Sequence, residues 1–517
     1  MSSDVPPTSS RGLAARLLDQ VERLGNRLPE PITLFAVLCL IVVIVSAIAA
    51  ALGVQVPHPK DGTPILAVSL LTPANVQRMF TEAVHNFTGF APLGLVLVTM
   101  IGMGVAEGSG LVAAALRGVA THVPRALLTA AIVFIGVNAN IAADAGIVVL
   151  PPLAALLFMA AGRHPLAGIA AGFAGVAGGF SANLLPSSLD ALLAGLSQSA
   201  LDASQLLPGY HVQVTGNWFF LVASTFLLTL VGTWVTEVLV EPRLGPWRGE
   251  AVAIERGSAQ EGRALSAAML TALLCVIGYA ALCLAPEAPL RAVGVAGVDS
   301  WKPLFDSIVV LVMLLFLVPG LVYGAVVGSI RSDRDVARMA GDAMATMGTY
   351  IVLSFVAAQF VNWFAWSNLA TILAVRGAHL LRDLGLDGTM LMIGLVIATS
   401  ILNLFTSSAS AKWATFAPVF IPMFLLLGFS PEGTQVIYRI GDSSTNIITP
   451  LLPYMPFILT AVRRYDPKAG IGTIIALMMP YAMVFLVSWT MLLLVWDRLG
   501  WPIGPGIGLH LAQRILR

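Results

Sequence analysis

Again and again this chain runs for about twenty residues with a charge at most near one end, the length needed to span hydrocarbon. Such runs lie near 32–54, 88–107, 124–143, 214–239, 264–286, 304–329, 344–365, 388–406 and 470–497. Shorter or interrupted ones lie at 145–161, 165–200, 408–427 and 432–461. Only 11% of the 517 residues are Asp, Glu, Lys or Arg, against about 25% in soluble domains. In lipid every backbone polar group must be satisfied inside the protein, so apolar runs of this length fold as helices or line a buried cavity. The expected fold is an all-α integral membrane protein with about nine membrane helices.

Arg11, Arg16, Arg23 and Arg27 precede the first run and place the N-terminus in the cytoplasm. The same rule puts the basic clusters at 243–263, 331–338 and 463–468 inside, and 55–87, 201–213 and 287–303 outside. The first apolar run is a full span without a small-residue cleavage site after it, so no cleavable signal peptide is expected. Cys39, Cys275 and Cys283 fall in membrane segments and read as packing residues rather than a disulfide or metal framework. A net charge of +1 points to no particular partner, nucleic acid included.

Within the apolar runs, two polar stretches answer each other. Ser181-Ala-Asn183-Leu-Leu-Pro186 and Ser444-Thr-Asn446-Ile-Ile-Thr-Pro450 stand at an offset of 263. Gly162-Arg-His-Pro165 likewise matches Gly428-Phe-Ser-Pro431, and Pro152 matches Pro418. Further upstream, Ser109 with Arg117-Gly118 matches Ser367 with Arg376-Gly377. The order and near-constant spacing define a repeat of helix, connector, helix, Pro-containing re-entrant hairpin, tight turn and broken helix.

The chain then divides into an N-terminal cytoplasmic segment at 1–31, a first span and external loop at 32–76, and repeat unit 1 at 77–200, with its hairpin near 145–161. Linking spans occupy 201–340 and repeat unit 2 occupies 341–461, with its hairpin near 408–427. A last span and tail follow at 462–517. Three crossings between the units invert the second relative to the first, the usual plan of a secondary transporter. Hairpin-flanking positions 164 and 430 should then label from opposite sides.

A charge at mid-membrane costs roughly 2.5–3.5 kcal/mol on insertion scales, so each needs a reason. The candidates cluster in the repeats: Asp144, Asp190, Lys412, Arg439 and Asp442. Arg439 and Asp442 stand at i and i+3 and can neutralise each other. Alternatively Arg439 holds a substrate carboxylate with two parallel hydrogen bonds, and Asp442 holds a cation or proton. Asp190 follows the first break, as a cavity residue or a water-facing one. Asp144 and Lys412 occupy matching stretches and can pair across the two hairpins. Trp413 is either an interfacial anchor or a platform for an aromatic substrate. The Ser/Asn breaks offer oxygens and half-helix ends suited to Na⁺ or an anion. Glu107 and Asp306 lie near span ends and read as interfacial.

The sequence holds no Walker A loop, HExxH or CxxC, so no ATPase, zinc or disulfide chemistry is expected of it. A membrane enzyme would need a paired catalytic constellation, which is missing. A channel fits broken, repeated helices less well than alternating access does. Saturable transport with counter-transport separates the two.

Several longer motifs carry a family resemblance. They are Asn26-Arg-Leu-Pro29-Glu-Pro-Ile-Thr-Leu-Phe, Gly104-Val-Ala-Glu107-Gly-Ser-Gly-Leu111, the stretch from Phe180 to Gly195, Ser408-Ala-Ser410-Ala-Lys-Trp413-Ala, and Tyr438-Arg439-Ile-Gly-Asp442-Ser-Ser-Thr-Asn-Ile-Ile-Thr-Pro450. With them the chain resembles the AbgT family over essentially its whole length. The resemblance implies a multi-pass homodimer of a bacterial inner membrane, with about nine helices and two re-entrant hairpins per protomer. It implies transport of p-aminobenzoyl-glutamate and, in some members, export of sulfonamides by the proton motive force. Family positions fall here on Asp190, Ser410, Trp413, Arg439, Asp442 and Pro450 as substrate-binding residues. A further similarity to divalent anion/Na⁺ symporters makes Ser181, Asn183, Ser444 and Asn446, with Asp442, candidate ion ligands. The alternative it leaves open is a Na⁺-coupled importer of dicarboxylates. Beyond Na⁺ or H⁺ no cofactor is implied.

Overall fold

The computed structural model describes residues 31–57, 62–122, 124–139, 145–247, 258–284, 288–292, 300–301, 303–304, 307–386, 388–404, 408–450, 452 and 454–511. Arg11 to Arg27, Asp144 and Asp306 lie outside them. Among the described residues, seven helices are long and apolar enough to cross a membrane. They are Ile32–Ala51, Trp218–Leu244, Ala259–Leu284, Ile308–Val327, Gly348–Trp366, Ala409–Leu426 and Ile471–Leu499. The runs expected near 88–107, 124–143 and 388–406 form shorter apolar helices instead. In the first loop a small antiparallel pair, β1 (Gln55–Pro57) and β2 (Pro64–Leu66), joins Val56 to Ile65.

The repeat is visible helix by helix. Unit 1 comprises α1 (Ala91–Ser109), α2 (Leu111–His122), α3 (Leu128–Ala139), α4 (Ala145–Ala160), α5 (Pro165–Phe173) and α6 (Ser188–Ser204). Unit 2 repeats the order as α7 (Gly348–Trp366), α8 (Leu369–Asp383), α9 (Gly388–Asn403), α10 (Ala409–Leu426), α11 (Pro431–Thr445) and α12 (Met455–Arg463).

The landmarks adopt the same local chemistry twice. After α1, Ser109 Oγ donates to the Ala106 carbonyl at 2.9 Å and accepts from Leu111 N at 3.4 Å. After α7, Ser367 Oγ donates to the Phe364 carbonyl at 2.8 Å and accepts from Leu369 N at 3.4 Å. Each chain reversal uses a left-handed residue, Gly110 at φ 92° and Asn368 at φ 59°. The Gly-x-x-Pro turns match as well. Gly162 and Gly428 stand at φ 76° and 96°, where a side chain would be strained. The capping residues His164 and Ser430 then accept from Leu166 N and Gly433 N, ahead of Pro165 and Pro431 at the first helical turn.

The hairpins expected within 145–161 and 408–427 are each one continuous helix. Pro151 and Pro152 lie inside α4, and Pro418 and Pro422 inside α10. A proline removes one N–H and bends a helix, but packed neighbours in a membrane protein tolerate it without a reversal.

The last helix of each unit packs on the proline-bearing helix of the other, α6 on α10 and α12 on α4. This exchange brings the two breaks together. Helix α5 ends in a π turn at Ala174–Gly178, and α11 ends in a 3₁₀ turn at Asn446–Ile448. These turns touch, and a Cβ added at Gly178 would stand 3.3 Å from Ile447 Cδ1. Distant segments of sequence thus meet as broken backbone buried in protein.

Helix α11 sits against α9 through Gly441, where an added Cβ would collide with the Val396 carbonyl and Thr399 Oγ1. Gly441→Ala is therefore expected to cost about 1–3 kcal/mol by overpacking. Thermal unfolding of the detergent-solubilised protein measures this, and a midpoint unchanged from the parent would rule out the close approach.

Candidate functional site

Helix α11 is the spine of the site. Gln435, Tyr438, Arg439 and Asp442 recur at three- and four-residue spacing and so share one face. All four are buried. Arg439 Nη1 lies 2.7 Å from Asp190 Oδ1 on α6, and Asp442 Oδ1 lies 2.5 Å from Lys412 Nζ on α10. Two ion pairs therefore cross between helices with their side chains at most 3% exposed.

This pairing excludes one of the two readings of Arg439 and Asp442. Arg439 and Asp442 do not neutralise each other, despite their i, i+3 spacing. Each faces a different helix, and a charge buried in lipid is stabilised by the nearest opposite charge of suitable direction. Lys412 takes Asp442 as its partner; a pair between Lys412 and Asp144 falls outside the described residues.

Asp190 performs two tasks. Its Oδ2 accepts from Ser187 N at 2.6 Å, Ser187 Oγ at 2.7 Å and Asn183 Nδ2 at 3.1 Å. This is a capping box that starts α6 immediately after the break. Its Oδ1 is left for Arg439. The Arg439 contact is an ion pair without hydrogen-bond alignment, and among the described residues none of the three guanidinium nitrogens has a hydrogen-bond partner. Buried donors almost always find acceptors, and a guanidinium can hold a carboxylate through two parallel hydrogen bonds.

Trp413 is fully buried, not interfacial. Its ring stacks on Tyr438 with centroids 4.5 Å apart and planes at 27°. The indole Nε1 donates to Ser197 Oγ at 2.9 Å. Tyr438 Oη in turn stands 2.7 Å from the Ala409 carbonyl and 3.1 Å from Asp442 Oδ1. One ring thus joins the aromatic platform to the Lys412–Asp442 pair. Ser410 is half-buried, 3.2 Å from the capping Ser408 hydroxyl at the start of α10. Pro450 ends the second break, directly after Thr449, whose Oγ1 donates to the Asn403 carbonyl at 3.0 Å.

The ion-ligand candidates divide by unit. In the first break Ser181 Oγ and Asn183 Oδ1 are buried and have no hydrogen-bond partner among the described residues. In the second, Ser444 Oγ donates to the Ile440 carbonyl at 2.7 Å, and Asn446 Oδ1 accepts from Asn403 Nδ2 at 3.0 Å. The uncommitted oxygens there belong instead to Asp442 Oδ2 and Ser443 Oγ. Glu107 is solvent-exposed at the end of α1.

Asn403 was not singled out from sequence, yet it organises the second break. It donates to the Asp442 carbonyl at 2.6 Å and to Thr445 Oγ1 at 2.8 Å, and its Oδ1 accepts from Lys412. Its counterpart Asn138, near the end of α3, accepts from Leu184 N of the first break at 3.1 Å. The signal was an asparagine near the end of the third helix in each unit. Tyr438 and Ser197 were missed too, because neither type is unusual on a buried helix.

The comparisons agree with this architecture. Residues 16–511 match the model of the AbgT transporter family. The p-aminobenzoyl-glutamate transport protein of Escherichia coli strain K12 is 38% identical over 506 residues, 98% of each chain. The crystal structure of the Alcanivorax borkumensis YdaH transporter, reported to have an unusual topology, superposes with a TM-score of 0.88 at 46% identity. It covers 92% of this chain and all of its own. Neisseria gonorrhoeae MtrF, described as illuminating a class of antimetabolite efflux pumps, gives a TM-score of 0.88 at 42% identity. That match covers 95% of this chain and 100% of MtrF. A buried pair of helix breaks, crossed by two ion pairs and matched along nearly its whole length, makes this chain a multi-span membrane transporter of the AbgT family and not an enzyme.

Proposed function

We propose that this protein is an ion-coupled secondary transporter of p-aminobenzoyl-glutamate-like aromatic carboxylates in a bacterial inner membrane, and that it exports sulfonamide antimetabolites. The observation that carries this reading is the Arg439 guanidinium, buried beside Asp190 with every N–H uncommitted. A carboxylate of the substrate supplies the missing acceptors, and the face of Trp413 turned away from Tyr438 receives its aromatic ring. The relatives named for p-aminobenzoyl-glutamate transport and antimetabolite efflux support the same substrate class.

The oxygens of Ser181, Asn183, Asp442 and Ser443 that lack partners support a cation as the coupling ion, either H⁺ on Asp442 or Na⁺ between the breaks. The same oxygens favour a second reading, Na⁺-coupled import of dicarboxylates. A homodimer with cytoplasmic N-termini completes the proposal.

Purified protein in liposomes, given labelled p-aminobenzoyl-glutamate under an imposed pH or Na⁺ gradient, tests it. Accumulation should follow one gradient and saturate; flux that ignores both gradients would sink the coupled reading. In the same assay Trp413→Ala is expected to abolish binding, whereas Trp413→Phe retains a stacking ring and loses less than about tenfold in affinity. Near-normal affinity in the alanine variant would return Trp413 to a packing role.

A further inference from the structure

Trp413 lies at one end of a buried hydrogen-bond chain that ties four segments together. Its Nε1 donates to Ser197 Oγ at 2.9 Å, and Ser197 Oγ donates to Gln435 Oε1 at 2.8 Å. Gln435 Nε2 donates to Asn217 Oδ1 at 3.0 Å, and Asn217 Nδ2 donates to the Glu432 carbonyl at 2.8 Å. Trp413, Ser197, Gln435, Asn217 and Glu432 are all buried.

The direction of this chain follows from one fact: an indole N–H can only donate. Ser197 must therefore accept from Trp413, and its own proton goes to the Gln435 carbonyl oxygen. That orients the Gln435 amide so that its NH₂ faces Asn217, which orients Asn217 in turn. Each amide has one satisfying orientation, and reversing either would set like groups against each other.

The register of α6 against α11 explains why the chain reaches the site. Going along α6, Asp190 meets Arg439 and Ser197 meets Gln435, so the two helices run antiparallel with two polar rungs. The Asp190 rung holds the cation for the substrate carboxylate, and the Ser197 rung holds the ring. Tyr438 covers one face of Trp413 and Ser197 occupies its N–H. The other face is buried as well, so a ligand ring meets it only once the packing around Trp413 opens.

We propose that Ser197, Gln435 and Asn217 are positioning residues for substrate recognition: they fix the plane of Trp413 and withhold its N–H, so that the site selects a ring by stacking and not by hydrogen bonding. This rests on the reading of Trp413 as a substrate contact.

The experiment uses the full chain labelled with 5-fluorotryptophan, with Trp413→Phe assigning the Trp413 resonance. Ser197→Ala and Gln435→Met are expected to move or broaden that resonance in the absence of ligand. Both should weaken p-aminobenzoyl-glutamate binding by a factor of about five, the loss of roughly one net hydrogen bond. In a Trp413→Phe background the same substitutions should change affinity by less than about twofold, because the anchored N–H is already gone. Size-exclusion profiles matching the parent establish that each variant is folded, Ser197→Ala being the mildest. An equal loss in both backgrounds assigns Ser197 and Gln435 a general structural role and overturns the proposal. So does an unmoved fluorine resonance. If Trp413→Ala binds normally, the substrate contact itself fails, while the fluorine shift still reports whether the chain holds the ring.

Discussion

Arg439→Ala is expected to lower affinity for p-aminobenzoyl-glutamate by more than about a hundredfold. Two charge-assisted hydrogen bonds to one carboxylate, at about 1.5–3 kcal/mol each, account for that loss. The guanidinium is 1% exposed, and among the described residues its nitrogens lack hydrogen-bond partners, so Asp190 Oδ1, 2.7 Å from Nη1, is the group a ligand carboxylate has to compete with. Stability should fall as well, because the buried Asp190 carboxylate loses its ion-pair partner, a defect worth about 3–5 kcal/mol, although it keeps its bonds to Ser187 and Asn183. Arg439→Lys preserves the charge beside Asp190 but not the planar fork. It should recover the thermal midpoint while recovering only part of the affinity. Calorimetry on both variants decides the matter. Affinity fully restored by lysine would mean that Arg439 supplies charge alone, and affinity unchanged in the alanine variant would remove it from the substrate site.

Asp442→Asn is expected to stop accumulation against a gradient while leaving exchange of substrate across the membrane measurable. The carboxylate is the partner of the buried Lys412 ammonium and accepts at Asp442 Oδ1 from Tyr438. Removing its charge leaves Lys412 uncompensated, a defect worth about 3–5 kcal/mol in buried ion pairs. The single variant should therefore lose both stability and coupling. Replacing both partners, Lys412→Met with Asp442→Asn, removes the stranded charge and should restore most of the stability without restoring coupling. Thermal unfolding together with gradient-driven uptake in liposomes separates the two effects. Uptake against a gradient by the double variant would show that coupling resides elsewhere.

Most of the fold could be read before any coordinates. Ser109 and Ser367, Gly162 and Gly428, Pro152 and Pro418 each mark a local conformation that a single residue type enforces. A capping hydroxyl, a positive φ and a missing N–H act over only a few residues, so their spacing reports the order of elements directly. The extent of each hairpin was less legible, for the opposite reason. Whether a proline bends a helix or reverses it depends on what packs around the freed carbonyl, and α4 and α10 each pack against the other unit's last helix.

The sequence by itself determined that the chain lies in a membrane, that it is helical and duplicated, and that Asp190, Lys412, Trp413, Arg439 and Asp442 sit beside its breaks. Lipid makes each of those facts visible locally, by penalising any charge or broken backbone without a purpose. Which charge faces which was decided only by the tertiary structure. Arg439 is three residues from Asp442, yet it pairs with Asp190 on α6, and Asp442 pairs with Lys412 on α10. The same holds for Asn403 and for the Ser197–Gln435–Asn217 chain, whose members are ordinary polar residues on separate helices. Ion pairs and hydrogen bonds depend on angstrom-scale direction, and that direction is set by the register in which α6, α9, α10 and α11 pack.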